Sequence, residues 1–154
     1  MKIGKGEQAM ENDTRDLLFR EYFDLEGHTA VVTGGTKGLG FEIARTLARA
    51  GAKMGICSRH EEEARITARK ISEETGRECW GAAANVARGQ EIERFVKAVK
   101  DRLGEPDILV ASAGINIRKP TEELTEEDFD TLMAVNVKGA WLSARAVLPF
   151  MRYR

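Results

Sequence analysis

Eight consecutive residues, Thr33-Gly34-Gly35-Thr36-Lys37-Gly38-Leu39-Gly40, have the types and spacing to hold a phosphate. They follow an apolar run of strand length and lead into a segment of helical pattern. A pyrophosphate can rest on the free N–H groups of a helix N-terminus only if the backbone comes close, which requires a tight turn nearly free of side chains. Gly34 would make the turn, Gly38 would admit the phosphates, and Gly40 would let helix and strand pack closely. Thr36, Lys37 and Leu39 complete the candidate binding loop.

A second candidate group stands at Cys57-Ser58-Arg59, the end of the next apolar run. A dinucleotide fold meets the adenosine ribose here, with an acid for a free 2′-hydroxyl or a base for a 2′-phosphate. Ser58 and Arg59 offer a hydroxyl and a guanidinium fork, which suit a phosphate.

These groups need a scaffold, and the pattern after Gly27 supplies one. Strand-length apolar runs, Ala30 to Thr33, Met54 to Ser58, Cys79 to Ala84 and Ile108 to Ser112, alternate with helical segments. The helices read as Leu39 to Ala50, Glu61 to Thr75 and Gln90 to Leu103, followed by Gly51, Gly76 and Gly104 as left-handed caps. A fourth opens at a capping-box sequence, Thr125 to Asp128, and runs to about Leu148, before Pro149. Repeated βαβ units imply an α/β fold: a Rossmann-like, doubly wound parallel sheet, incomplete at about four strands with flanking helices. Residues 1–23 read as a polar N-terminal extension with a short helix from Asp13 to Phe23, and residues 24–154 as a partial Rossmann domain.

The spacing Thr-Gly-x-x-x-Gly-x-Gly, with the lead-in Phe23-Asp24-Leu25-Glu26-Gly27-His28-Thr29-Ala30-Val31-Val32, resembles the classical short-chain dehydrogenases/reductases. The resemblance covers residues 23–151. It implies an oxidoreductase that moves a hydride between a nicotinamide cofactor and a carbonyl or alcohol. Members that prefer NADP carry a base just before the second glycine, where Lys37 stands, so NADP is expected rather than NAD. Asn85-Val86 occupies the place of the Asp-Val that holds the adenine, and the Asn85 carbonyl oxygen can still accept from the amino group. Ala111-Ser112-Ala113-Gly114 stands for Asn-Asn-Ala-Gly, which makes Ala113 and Gly114 cofactor neighbours and removes a side chain that ties the central strands together. Asn136, in Met133 to Gly139, matches the Asn that supports a water in the family's proton relay; the competing reading is a buried amide satisfied by backbone.

The family's chemistry also requires a Ser and a Tyr-x-x-x-Lys pair, and neither is matched. Tyr153 follows too soon after the fourth helix, and Ser143 reads as a packed helix residue. The chain is therefore expected to be the cofactor-binding half, truncated before the catalytic groups and inactive alone. The sequence leaves the fourth strand as an open edge and the face of Val135, Trp141, Leu142 and Val147 in need of cover, so the chain is expected either to associate, self-association through that helix or edge being one way, or to be marginally stable and prone to aggregate.

With 24 basic and 25 acidic residues the net charge is −1, too small to attract nucleic acid or an anionic membrane. The two cysteines, Cys57 and Cys79, read as core hydrophobes rather than metal ligands. No run of the sequence is long and apolar enough to span a bilayer, and a cytoplasmic location is the default. Arg118 and Lys119 read as a solvated loop. A non-catalytic dinucleotide-binding or interaction module remains the alternative to the oxidoreductase. A methyltransferase fits poorly, because Lys37 and Arg59 form a phosphate clamp for which S-adenosylmethionine has no use.

Overall fold

The structure, a computed structural model, describes residues 22–151. The expected N-terminal helix lies outside them except for Tyr22 and Phe23, and so does Tyr153.

Four parallel strands form one sheet in the order β3-β2-β1-β4: β1 (Thr29–Thr33), β2 (Lys53–Ser58), β3 (Cys79–Ala83) and β4 (Ile108–Ala111). The register is uninterrupted, with Val32 opposite both Ile56 and Val110. Helices α1 (Gly38–Arg49), α2 (Glu61–Thr75) and α3 (Gly89–Leu103) connect successive strands. Strand alternation sends side chains to opposite faces. Ala30, Val32, Met54 and Ile56 pack on Ala44 and Ala48 of α1 and Ala68 and Ile71 of α2. Val31 and Cys57 pack on the Ile92, Phe95, Val96 and Val99 face of α3. Both faces of the central strands are therefore dry, as a parallel sheet requires. Burial pushes the thiols of Cys57 and of the half-buried Cys79 up to about 12, so at neutral pH both stay protonated and inert.

The capping box forms as expected. Thr125 Oγ1 accepts from the Asp128 N–H, and the Asp128 carboxylate accepts from the Thr125 N–H. The single helix expected beyond it is instead three segments: α4 (Glu126–Met133), a π turn (Ala134–Lys138) and α5 (Gly139–Met151). At the π turn the Gly139 N–H reaches back to the Ala134 carbonyl, one residue further than in an α-helix. Pro149 sits inside the last turn of α5 rather than beyond the helix, where its missing N–H costs at most one terminal bond.

Two further expectations are corrected. Leu142 and Val147 are buried, because α5 docks on α3: Val147 joins its apolar face and Leu142 lies over Gly89 at its first turn; of the four residues expected to need cover, Trp141 is exposed and Val135 half-buried. All three glycines take positive φ (Gly51 117°, Gly76 70°, Gly104 108°), but only Gly76 is a cap in the left-handed helical conformation: α1 already ends on Ala50, and Gly104 caps α3 with ψ 173°.

Candidate cofactor site

The chain lays down β1, β2 and β3 in one direction and then crosses back to place β4 on the other side of β1. At such a reversal the loops beyond the carboxyl ends of the strands diverge and leave a crevice, where open α/β sheets bind ligands. A cleft of about 320 Å³ opens there. It brings together Gly34, Thr36, Lys37, Leu39 and Gly40 from the first loop, Ser58 and Arg59 from the end of β2, Asn85 and Val86 from the end of β3, and Ala113 and Gly114 from the end of β4. Of the twelve residues expected to bind cofactor, Gly38 alone does not line it.

The glycine loop has the properties a phosphate needs. No side chain caps α1, and its first hydrogen bond runs from the Phe41 N–H to the Lys37 carbonyl, so the N–H groups of residues 38–40 find no partner among the described residues. A Cβ on Gly34 would lie 2.8 Å from Ala113 Cα, so the turn crosses directly over the loop after β4. Gly38 (φ 56°) has open space where a Cβ would stand. A Cβ on Gly40 would meet the Gly34 carbonyl oxygen at 2.2 Å, so Gly40 fits α1 against the turn itself rather than against a strand. This cradle fits the phosphates of a dinucleotide.

At the far end of the crevice the charges are unevenly committed. Arg59 is exposed and makes no hydrogen bond or ion pair with any described residue. Lys37 Nζ, 81% exposed, lies 3.6 Å from the Glu63 carboxylate. Ser58 Oγ accepts from the His60 N–H (3.1 Å), and its proton has two acceptors within reach, the His60 carbonyl (3.1 Å) and Glu63 Oε2 (3.2 Å).

Asn85 is already engaged. Its Oδ1 accepts from the Ala87 N–H (3.0 Å), and its own N–H donates to Glu91 Oε2 (2.8 Å), a bond that holds the Glu91 carboxyl below its ordinary range, with Arg88 adding to the effect. The Asn85 oxygen keeps one lone pair for an adenine amino group. Asn136 lies in the π turn and is exposed, not buried. Its Oδ1 accepts from the Ile115 N–H (2.8 Å) while its Nδ2 donates to the Ile115 carbonyl (2.9 Å). The carboxamide thus mimics a neighbouring strand and fixes the loop just after Gly114. Ser143 is buried, with its hydroxyl donating to the Gly139 carbonyl (2.8 Å). Lys119 pairs with Asp128 on α4, and neither it nor Arg118 lines the cleft.

His60, Glu63, Ala84, Ser112, Ile115 and Val135 also line the cleft and were not expected to. Ser112 lies inside the recognised motif, and Glu63 stands in the first turn of the helix that follows Arg59. Nothing local marks Ile115 or Val135.

A family model for short chain dehydrogenase matches residues 28–154. The sequence is 30% identical over 152 residues to a tropinone reductase homolog of Arabidopsis thaliana, covering 93% of this chain and 52% of that protein. Among solved structures, the L-sorbose reductase of Gluconobacter frateurii, complexed with NADPH and L-sorbose, superposes with a TM-score of 0.79 at 29% identity, over 84% of this chain and 49% of that one. The alcohol dehydrogenase of the archaeon Thermococcus sibiricus, complexed with 5-hydroxy-NADP, gives 0.76 at 35% identity, over 80% and 53%. The chain spans about half the length of the curated relatives it matches. Among the described residues no helix is long and apolar enough to cross a membrane.

Proposed function

Because the chain belongs to the short-chain dehydrogenase family, we propose that it is the NADP-binding half of an oxidoreductase acting on a small carbonyl or alcohol. Bound NADP(H) would accept or supply the hydride. The chain's own residues bind and orient it: the uncapped N-terminus of α1 and the loop from Gly34 to Gly40 take the pyrophosphate, Asn85 and Val86 border the adenine, and Ala113 and Gly114 border the nicotinamide end. Asn136 is a positioning residue, since its carboxamide is spent on Ile115 and acts on the site through that loop. Residues 1–154 contain no Tyr-x-x-x-Lys, so binding without turnover is expected of them. The two inert, unpaired thiols suit a reducing cytoplasm.

The observation that carries the NADP reading is the end of β2. Ser58 and Arg59 face the crevice where a preference for NAD would call for an acid, and Arg59 has no partner among the described residues. NADPH in the L-sorbose reductase and 5-hydroxy-NADP in the archaeal alcohol dehydrogenase support the same reading. A calorimetric titration of the purified chain with NADPH and NADH, repeated with Arg59→Asp, tests it. Preference for NADPH of roughly tenfold or more, the size of one charge-assisted contact, is expected, and Arg59→Asp should abolish or reverse it. Equal affinity for both cofactors, unmoved by the substitution, would refute the NADP assignment.

A further inference from the structure

The crevice that offers cations to an anion also contains an anion. Glu63 lines it, and its carboxylate faces two of the three groups assigned to the 2′-phosphate, with Oε1 3.6 Å from Lys37 Nζ and Oε2 3.2 Å from Ser58 Oγ. Its neighbours in the first turn of α2 point elsewhere. Glu62 pairs with Arg65 at 2.6 Å on the exposed side, and Glu61 accepts from the Ala83 N–H at the end of β3. All three acids suit a helix N-terminus, so stabilising that end does not by itself explain why one of them is turned into the cleft.

Building on the proposed dinucleotide-binding function, we propose that Glu63 is a resident counter-ion that competes with the cofactor's 2′-phosphate for Lys37 and Ser58, and so sets how strongly NADP is preferred over NAD. A 2′-phosphate carries a charge of about −1.5 to −2 near neutral pH. Brought beside Arg59, it meets a carboxylate already paired with Lys37 and within reach of the Ser58 hydroxyl, which the His60 carbonyl also shares. Lys37 and Ser58 must then exchange one anion for another, and the repulsion between phosphate and Glu63 offsets part of the gain. The exchange is feasible because the Lys37–Glu63 pair is long and solvent-exposed, the kind that contributes little on its own. A cofactor without the phosphate leaves the pair intact. Discrimination is thereby reduced below what Lys37, Ser58 and Arg59 would give together.

Glu63→Gln removes the charge at constant shape and keeps an oxygen for the Ser58 hydroxyl, while Glu61 and Glu62 remain to support the helix. Glu62→Gln changes the net charge identically on the outer face. Wild type and both variants are titrated by calorimetry with adenosine 2′,5′-bisphosphate and with ADP. Glu63→Gln is expected to tighten the bisphosphate roughly five- to tenfold, the effect of one unit charge about 4 Å away in water. ADP should change less than twofold, and Glu62→Gln should alter neither. Unchanged or weakened bisphosphate binding in Glu63→Gln overturns the proposal, as does equal tightening in Glu62→Gln. Arg59→Asp reports separately on the NADP assignment: if it abolishes the bisphosphate preference while Glu63→Gln moves nothing, the counter-ion role alone fails. If Arg59→Asp changes nothing while Glu63→Gln still tightens the bisphosphate, the role given to Arg59 alone fails. Binding of neither probe overturns both.

Discussion

The two sides of the sheet differ in how completely they are built. In β1 every residue is buried, in β2 the four central residues are, and both strands have helices on each face. On the other side, β4 contains no buried residue and pairs with β1 alone, and α4 and the π turn bury nothing. The firmest anchor there is α5, through Val147 in the core that α3 lines and Leu142 over Gly89 at the start of α3. The phosphate cradle and the Ser58–Arg59 end of the cleft belong to the finished side, whereas Gly114, Ile115 and Val135 belong to the open one. The β1–β2 end of the cleft thus rests on tight packing, and the β4 end on a loop held largely by one carboxamide.

The sharpest way to break this contrast is to crowd the finished side. A Cβ on Gly81 would lie 2.2 Å from the Ala64 carbonyl oxygen, where β3 meets the backbone of α2 and no flexible side chain can yield. Gly81→Ala should cost about 3 kcal/mol or more in urea unfolding, at or above the upper end for overpacked cores. On the open side the corresponding weak point is Asn136. Asn136→Ala removes both bonds to Ile115, and a loss of about 1 kcal/mol is expected because the site is exposed and water can replace them. The Ile115 amide should exchange with solvent much faster in that variant while amides of β1 stay protected. Protection of Ile115 unchanged would mean that other contacts hold the loop.

The same division governs what the sequence disclosed. The strands, and the meeting of the glycine loop with the Ser58–Arg59 pair in one cleft, are legible because local pattern determines them: alternation sets the strand faces, and a strand running straight into a glycine turn and a helix fixes where the loop lies. Glu63 escaped notice because its meaning depends on Lys37, which is remote in sequence and adjacent only across the cleft. The π turn was invisible because one extra residue barely disturbs helical periodicity over so short a stretch. Leu142 and Val147 looked uncovered because nothing local in the sequence shows that α3 also seats α5, a packing helped by the Arg145–Glu93 contact at 2.8 Å.

The smallest expected effect on folding falls on the most exposed apolar feature of the open side. Phe129, Met133, Val137 and Trp141 recur every fourth residue along α4, the π turn and α5, and all are more than 40% exposed. Met133, Val137 and Trp141 line a shallow groove with one acid, Asp130, and one base, Lys138. A two-fold arrangement that set Asp130 of one copy against Lys138 of the other would cover the stripe, and a second copy of the chain is the occupant this prediction tests. Trp141→Glu tests this without disturbing the core. The indole packs under the Arg145 guanidinium, 4.9 Å from the ring, and a Glu four residues earlier can pair with the same Arg145. Unfolding free energy at low concentration should therefore stay within about 0.5 kcal/mol of wild type. Sedimentation should show wild type associating with rising concentration and Trp141→Glu remaining monomeric over the same range. Association undiminished in the variant would move the interface to another surface, with the open edge of β4 the next to test by substitution at Ala111.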